Sequence, residues 1–267
     1  MGYRIAVGGK GGVGKTTLAA LIVRSLLRHG RTPILAVDAD PNTNLPEAIG
    51  LPTETTVGTI LAQFIEDKAS IPSGMTKESF LQVKMNAAIS EGKGIDLIAM
   101  GRGEGPGCYC YPNLMLRGFV EKLSGNYAYV VFDNEAGMEH LSRRTSERID
   151  DMLLVSDPSL RGIRSVRRIH ELIRELNLDV ARVSLVLARA SAPLAPVLEQ
   201  EIAGCGLPWI GTIPADPQIE ALDLSGKPLI ELPDSSPAAL SCEKIMAALL
   251  DGSSDSGSGR GDLKIRS

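Results

Sequence analysis

Residues 9 to 17 read Gly9-Lys10-Gly11-Gly12-Val13-Gly14-Lys15-Thr16-Thr17. Gly9, four further residues and then Gly14-Lys15-Thr16 complete the phosphate-loop pattern. Glycines let successive backbone N–H groups converge on one anionic centre. Lys15 is expected at the β- and γ-phosphates and Thr16 at Mg²⁺ through its hydroxyl, so ATP and Mg²⁺ are the implied ligands. The whole run from Gly9 to Thr17 is the candidate nucleotide cradle. The bland alternative is a glycine turn, and the flanking sequence argues against it.

That flanking sequence is what a phosphate loop needs. Ile5-Ala6-Val7 reads as a buried strand before the loop, and Thr17 to Arg28 as an amphipathic helix after it. The start of that helix adds unpaired N–H groups and a positive dipole end. Further apolar runs recur at Pro33–Val37, Ile95–Met100, Tyr127–Phe132, Met152–Val155, Val183–Ala188 and Trp209–Ile213, separated by helical patterns. Continuous apolar strands alternating with helices predict a parallel sheet covered on both faces. The expected fold class is α/β, a single-domain P-loop NTPase. Its mostly parallel sheet has about seven strands, helices on both faces, and bounds of residues 1–250. From Gly252 the Ser/Gly/Asp composition predicts a flexible tail, taken as 251–267.

Strand ends carry the ligands in such sheets. The second strand closes on Asp38-Ala39-Asp40-Pro41, and the strand at Tyr127–Phe132 on Asp133. Asp40 is the candidate for orienting the attacking water, with Asp38 supporting Mg²⁺, unless one of the two merely caps the loop before Pro41. Asp133 has the Walker-B position, its carboxylate reaching Mg²⁺ through water. Gly137 is placed to approach the γ-phosphate. Cys108 and Cys110, one residue apart in a glycine-rich loop, cannot alone fill a tetrahedral thiolate site. Two copies across a twofold axis supply four sulfurs. Cys205 and Cys242 read as buried structural thiols, and His29 and His170 as solvated. The basic helix from Arg161 to Leu176 reads as a solvated face balanced by Glu171 and Glu175.

The 267 residues, 43% of them apolar, suffice for one large α/β domain. A net charge of −4 supplies no electrostatic attraction for nucleic acid or an anionic membrane. No run is apolar and long enough to span a bilayer and no signal peptide is visible, so the expected location is cytoplasmic, with no membrane or nucleic-acid partner.

Several of these stretches resemble known families. Lys10 matches the variant loop of the dimeric ATPases that include the MinD, ParA and nitrogenase iron protein families. The resemblance implies that Lys10 crosses to the partner's nucleotide in a homodimer closed by ATP, joining Lys15 and Asp40 in catalysis. That loop, Val37-Asp38-Ala39-Asp40-Pro41, Gly107-Cys108-Tyr109-Cys110 and Asp133-Asn134-Glu135-Ala136-Gly137-Met138-Glu139-His140-Leu141 together resemble the CooC/AcsF family over residues 3 to 250. The implied function is maturation of carbon monoxide dehydrogenase or acetyl-CoA synthase, with Ni²⁺ or Zn²⁺ held by Cys108 and Cys110 of both subunits. Related ATPases place an adenine loop where this chain has Pro214-Ala215-Asp216, making Pro214 and Asp216 candidate base contacts. The chain departs from its relatives at Ala188-Arg189, where they carry an asparagine, which loosens the expected preference for ATP over GTP. Two other classes remain open. An electron-transfer ATPase bridging a [4Fe–4S] cluster lacks the expected cysteine after Asp133. A positioning ATPase of the MinD/ParA type lacks a basic amphipathic C-terminal helix.

Overall fold

A computed structural model describes residues 2–66, 71–102, 110–135, 148–191 and 193–254. Cys108, Gly137 and His140 lie outside the described residues, as does the chain beyond Ser254. Cys110 opens a helix, but its side chain is not among those described.

The chain alternates strand and helix as the apolar periodicity predicts. β1 (Tyr3–Gly9) leads through the glycine loop to α1 (Lys15–Arg28), then β2 (Ile34–Asp38), α2 (Leu45–Ile49), α3 (Val57–Glu66) and α4 (Lys77–Ala87). β3 (Ser90–Gly92) and β4 (Ile95–Ala99) form a hairpin, followed by α5 (Cys110–Leu123), β5 (Tyr129–Asp133) and β6 (Ile149–Ser156). α6 (Leu160–Glu175), β7 (Val180–Ala188), α7 (Pro196–Ala203), β8 (Trp209–Ile213), α8 (Pro217–Leu224) and α9 (Pro237–Ser254) complete it.

Among the described residues eight strands form one sheet in the order β3-β4-β2-β5-β1-β6-β7-β8, all parallel except the β3–β4 pair. This is the expected mostly parallel sheet of about seven strands, with β3 added at its edge. β3 has three residues, Ser90-Glu91-Gly92, with none of the apolar run that marks a strand. α9 runs to Ser254, past the boundary expected at residue 250.

Alternation along the central strands sorts their side chains onto two faces. Ile5, Val7, Ala36, Val131, Leu153 and Val155 pack with α1, α2 and α9 in one core. On the opposite face Ala6, Met152, Leu154, Leu185 and Leu187 pack under α6 and α7, and Leu35, Val37, Ile98 and Val130 under α3, α4 and α5. Cys205 and Cys242 are buried free thiols in these cores, as expected, and burial holds Cys242 in its protonated form. The exposed side of α6 carries Arg164 paired with Glu201 at 3.2 Å and Arg167 with Glu171 at 3.9 Å, a solvated charged face. His29 is exposed but accompanied, 2.9 Å from Glu243 on α9.

α1 is fixed at its far end. Arg24, only 2% exposed, donates from Nε and a terminal nitrogen to the Leu232 carbonyl at 2.9 and 2.6 Å. Arg182 of β7 grips Asp151 of β6 with two bonds of 2.8 Å and reaches the Leu249 carbonyl of α9 at 2.7 Å. These bonds tie the closing helix to the sheet and hold still the helix whose other end faces the glycine loop.

Candidate functional site

β1 lies between β5 and β6 because the chain passes β5 to one side of it and β6 to the other. This reversal opens a crevice at the carboxyl ends of the strands, where open α/β sheets bind ligands. A cleft of roughly 1080 Å³ occupies it. Its walls include Gly11, Gly12, Gly14, Lys15, Thr16, Thr17, Asp40, Ala188, Arg189 and Pro214.

The loop geometry suits an anion. Gly9 has φ 146°, and a Cβ there would lie 2.4 Å from the Val155 carbonyl oxygen, so only glycine fits against β6. Gly14 has φ 99° at the start of α1, where no side chain caps the helix and no acid stands in the first turn. The first N–H groups of a fourteen-residue helix are therefore left to a ligand. Lys15 is 6% exposed, and its Nζ donates to the Lys10 carbonyl at 3.4 Å. The Lys10 side chain itself is exposed on the protein surface.

The acids divide into distinct roles. Register sets Asp133 beside Val7 on one side and Asp38 on the other. Asp133 is 1% exposed, and neither carboxylate oxygen closes a hydrogen bond of normal geometry. Burial pushes its carboxyl up to about 6, although the neighbouring Thr16 hydroxyl and Lys15 ammonium favour the ionised form. An orphaned buried carboxylate beside a lysine and a threonine fits a hydrated Mg²⁺ held by Thr16 and Asp133. Asp38 is fully buried, and burial together with Asp133 pushes it up to about 7. Both its oxygens are engaged, accepting from the backbone N–H of Asp40 at 3.0 Å and of Leu45 at 2.9 Å. The geometry thus supports Asp38 as the brace of the loop after β2, the capping alternative raised by Asp-Ala-Asp-Pro. Asp40 lines the cleft, with only Oδ1 engaged among the described residues.

At the far wall, Pro214 borders the cleft while the Asp216 carboxylate turns inward. It accepts from Gln218 N at 2.9 Å, Ala238 N at 3.1 Å and Ser236 Oγ at 2.5 Å. These bonds cap α8 and seat the start of α9, and they engage the Asp216 carboxylate in the structure. Ala188 fits against the loop, since a Cβ on Gly14 would lie 3.6 Å from the Ala188 methyl.

Two contacts had no signal in the motifs. Arg189, held at φ 55°, donates to the Gly12 carbonyl at 2.8 Å. In a trans peptide the N–H of Val13 points opposite that carbonyl, so Arg189 fixes the direction of one cradle N–H. Arg102, just past β4, donates to Asn42 Oδ1 at 2.9 Å. Asn42 in turn donates to Asp40 Oδ1 from its backbone and its side chain, both at 2.9 Å. Only the departure Ala188-Arg189 marked the first position in the sequence.

β4 ends at Ala99, paired with Asp38, and α5 begins at Cys110. The intervening segment therefore leaves from the sheet edge that carries the acids. Among the described residues no three His, Cys, Asp or Glu side chains cluster as a metal site. None of the described helices is long and apolar enough to cross a membrane.

The model of the CobQ/CobB/MinD/ParA nucleotide binding domain matches residues 5–229. An uncharacterized ATP-binding protein of Methanocaldococcus jannaschii is 39% identical over 249 residues, covering 92% of this chain and 98% of that one. The carbon monoxide dehydrogenase accessory protein CooC of Rhodospirillum rubrum is 30% identical over 261 residues, covering 93% and 96%. Among solved structures, the cell division ATPase MinD of Pyrococcus furiosus superposes with a TM-score of 0.68 at 22% identity, covering 94% of this chain and 99% of that one. At that identity the likeness speaks for the fold.

Proposed function

The chain belongs to the CobQ/CobB/MinD/ParA nucleotide-binding family and is an ATPase of the P-loop class, and from that premise we propose that it delivers a metal ion, Ni²⁺ by preference, during maturation of carbon monoxide dehydrogenase or acetyl-CoA synthase. The observation that carries this reading is the pair Cys108-Tyr109-Cys110, in a chain 30% identical to a protein named for carbon monoxide dehydrogenase maturation. Thiolates suit a soft or borderline cation, and two subunits supply four of them. The partners are a second copy of the chain, closed by ATP, and the apo-enzyme client, all in the cytoplasm.

Hydrolysis breaks the bond between the β- and γ-phosphates. Backbone N–H groups of residues 9 to 17 and the start of α1 hold the phosphates. Lys15 neutralises charge that grows on the oxygens between them, and Lys10 of the second subunit adds to it. Mg²⁺ bound by Thr16 and Asp133 would clamp the phosphate oxygens. Asp40 keeps Oδ2 for a water aligned with the γ-phosphorus.

Metal content and mass, measured with and without ATP after anaerobic incubation with Ni²⁺, test the reading on wild type and a Cys108→Ser/Cys110→Ser double variant. About one metal per dimer, lost in the variant while nucleotide still binds, is the expected result. Equal metal in both proteins refutes it. Iron and sulfide in place of nickel would move the chain to electron transfer.

A further inference from the structure

We propose that Arg102 is a positioning residue for Asp40, acting through Asn42. The inference rests on Asp40 acting on water, and not on the identity of the metal.

The polarity of the hydrogen bonds carries the argument. An ionised carboxylate only accepts, and a guanidinium only donates. Asn42 lies between the two and its amide offers one face of each kind. Arg102 holds Asn42 Oδ1 at 2.9 Å, which turns Nδ2 toward Asp40 Oδ1, also at 2.9 Å. The Asn42 backbone N–H meets the same oxygen. Two donors on Oδ1 fix the plane of the Asp40 carboxylate and leave Oδ2 for the cleft. Without Arg102 the Asn42 amide is free to turn over and set its own oxygen against the carboxylate, which repels it.

The backbone leading to Arg102 is tied to its neighbours. The Met100 N–H donates to the Asp38 carbonyl at 2.8 Å, and the Gly58 N–H to the Met100 carbonyl at 2.7 Å. Gly101 has φ 64°, and a Cβ on it would lie 2.1 Å from Thr56 Oγ1, so the backbone there is pressed against α3's leading loop. Arg102 is the next residue, and its side chain reaches Asn42. Loss of its guanidinium therefore acts first on the Asn42 amide and then on Asp40.

The test uses the full chain and the variants Arg102→Ala, Arg102→Lys, Asn42→Ala and Asp40→Asn. Steady-state ATP hydrolysis is measured for each, with thermal melts as the control for unfolding. Arg102→Ala and Asn42→Ala are expected to lower kcat about tenfold with KM for ATP within about twofold of wild type. Arg102→Lys, which keeps one donor, restores most of the rate. Wild-type kcat in Arg102→Ala, with Asp40→Asn inactive, overturns the proposal alone. Full activity in Asp40→Asn removes the reading of Asp40 and the proposal with it.

Discussion

Arg189 offers the sharpest separation of stability from ligand binding. Its backbone sits at φ 55° and its N–H donates to the Ile213 carbonyl at 2.7 Å, so β8 holds it in the left-handed region. That conformation costs a non-glycine residue about 1–2 kcal/mol, of which glycine's greater loss of backbone freedom takes back about 0.5–1 kcal/mol. Arg189→Gly should therefore exceed Arg189→Ala, which loses the same side-chain bond, in apo stability by up to about 1 kcal/mol, roughly 2–4 °C in Tm for a chain of this size. The side chain works the other way. Its bond to the Gly12 carbonyl is exposed, and such a bond contributes about 0.5–1.5 kcal/mol, or about two- to tenfold in ATP affinity. Both variants then bind ATP more weakly than wild type, and Arg189→Gly is the more stable of the two. Thermal melts without nucleotide and isothermal titration with Mg-ATP read the two quantities independently. Arg189→Gly binding ATP as tightly as wild type would refute the idea that this contact sets the Val13 N–H.

Other expectations follow from the acids and lysines. Asp133 rises from 3.8 to about 6 on folding, so the folded state holds the extra proton and, in EDTA, gains stability as pH falls from about 7 toward 4. At pH 7.5 Asp133→Asn should stabilise the metal-free protein by up to about 3 kcal/mol while stopping hydrolysis. A stability gain unchanged at pH 5 in urea melts would contradict this. Asp216→Ala loses three internal bonds and should cost about 2–3 kcal/mol with the ATP-to-GTP preference unaltered, checked by melts and competition binding. Lys15→Ala should abolish ATP binding, and Lys10→Ala should keep it but lose ATP-driven dimerisation by light scattering. Nucleotide-driven dimers of Lys10→Ala would remove that lysine from the partner's site.

The phosphate loop was legible because its chemistry needs glycines and a lysine at fixed spacing, and its strand and helix carry strong periodicity. The ends of β2 and β5 were legible for the same reason, as apolar runs that stop at an acid. What the sequence hid is set by contacts between distant segments. Asp38 and Asp216 look like ligands in one dimension, yet their oxygens are engaged by Leu45 and Ser236 in three. Asn42 and Arg102 are sixty positions apart, and nothing local links an asparagine after a proline to an arginine after a glycine. Short elements such as β3 and α2 depend on packing against neighbours more than on their own pattern.

The place of β1 in the sheet has a consequence during synthesis. It is made well before both of its neighbours, Tyr129–Asp133 and Ile149–Ser156. Until the ribosome has released the chain through residue 156, the glycine loop hangs from a strand with one wall missing. Such long-range pairing is slow to form. A nascent chain stalled before that point should bind no ATP despite a complete loop, and stalled chains captured on immobilised nucleotide would reveal it. Retention of the shorter chain would mean that the loop shapes itself without its sheet.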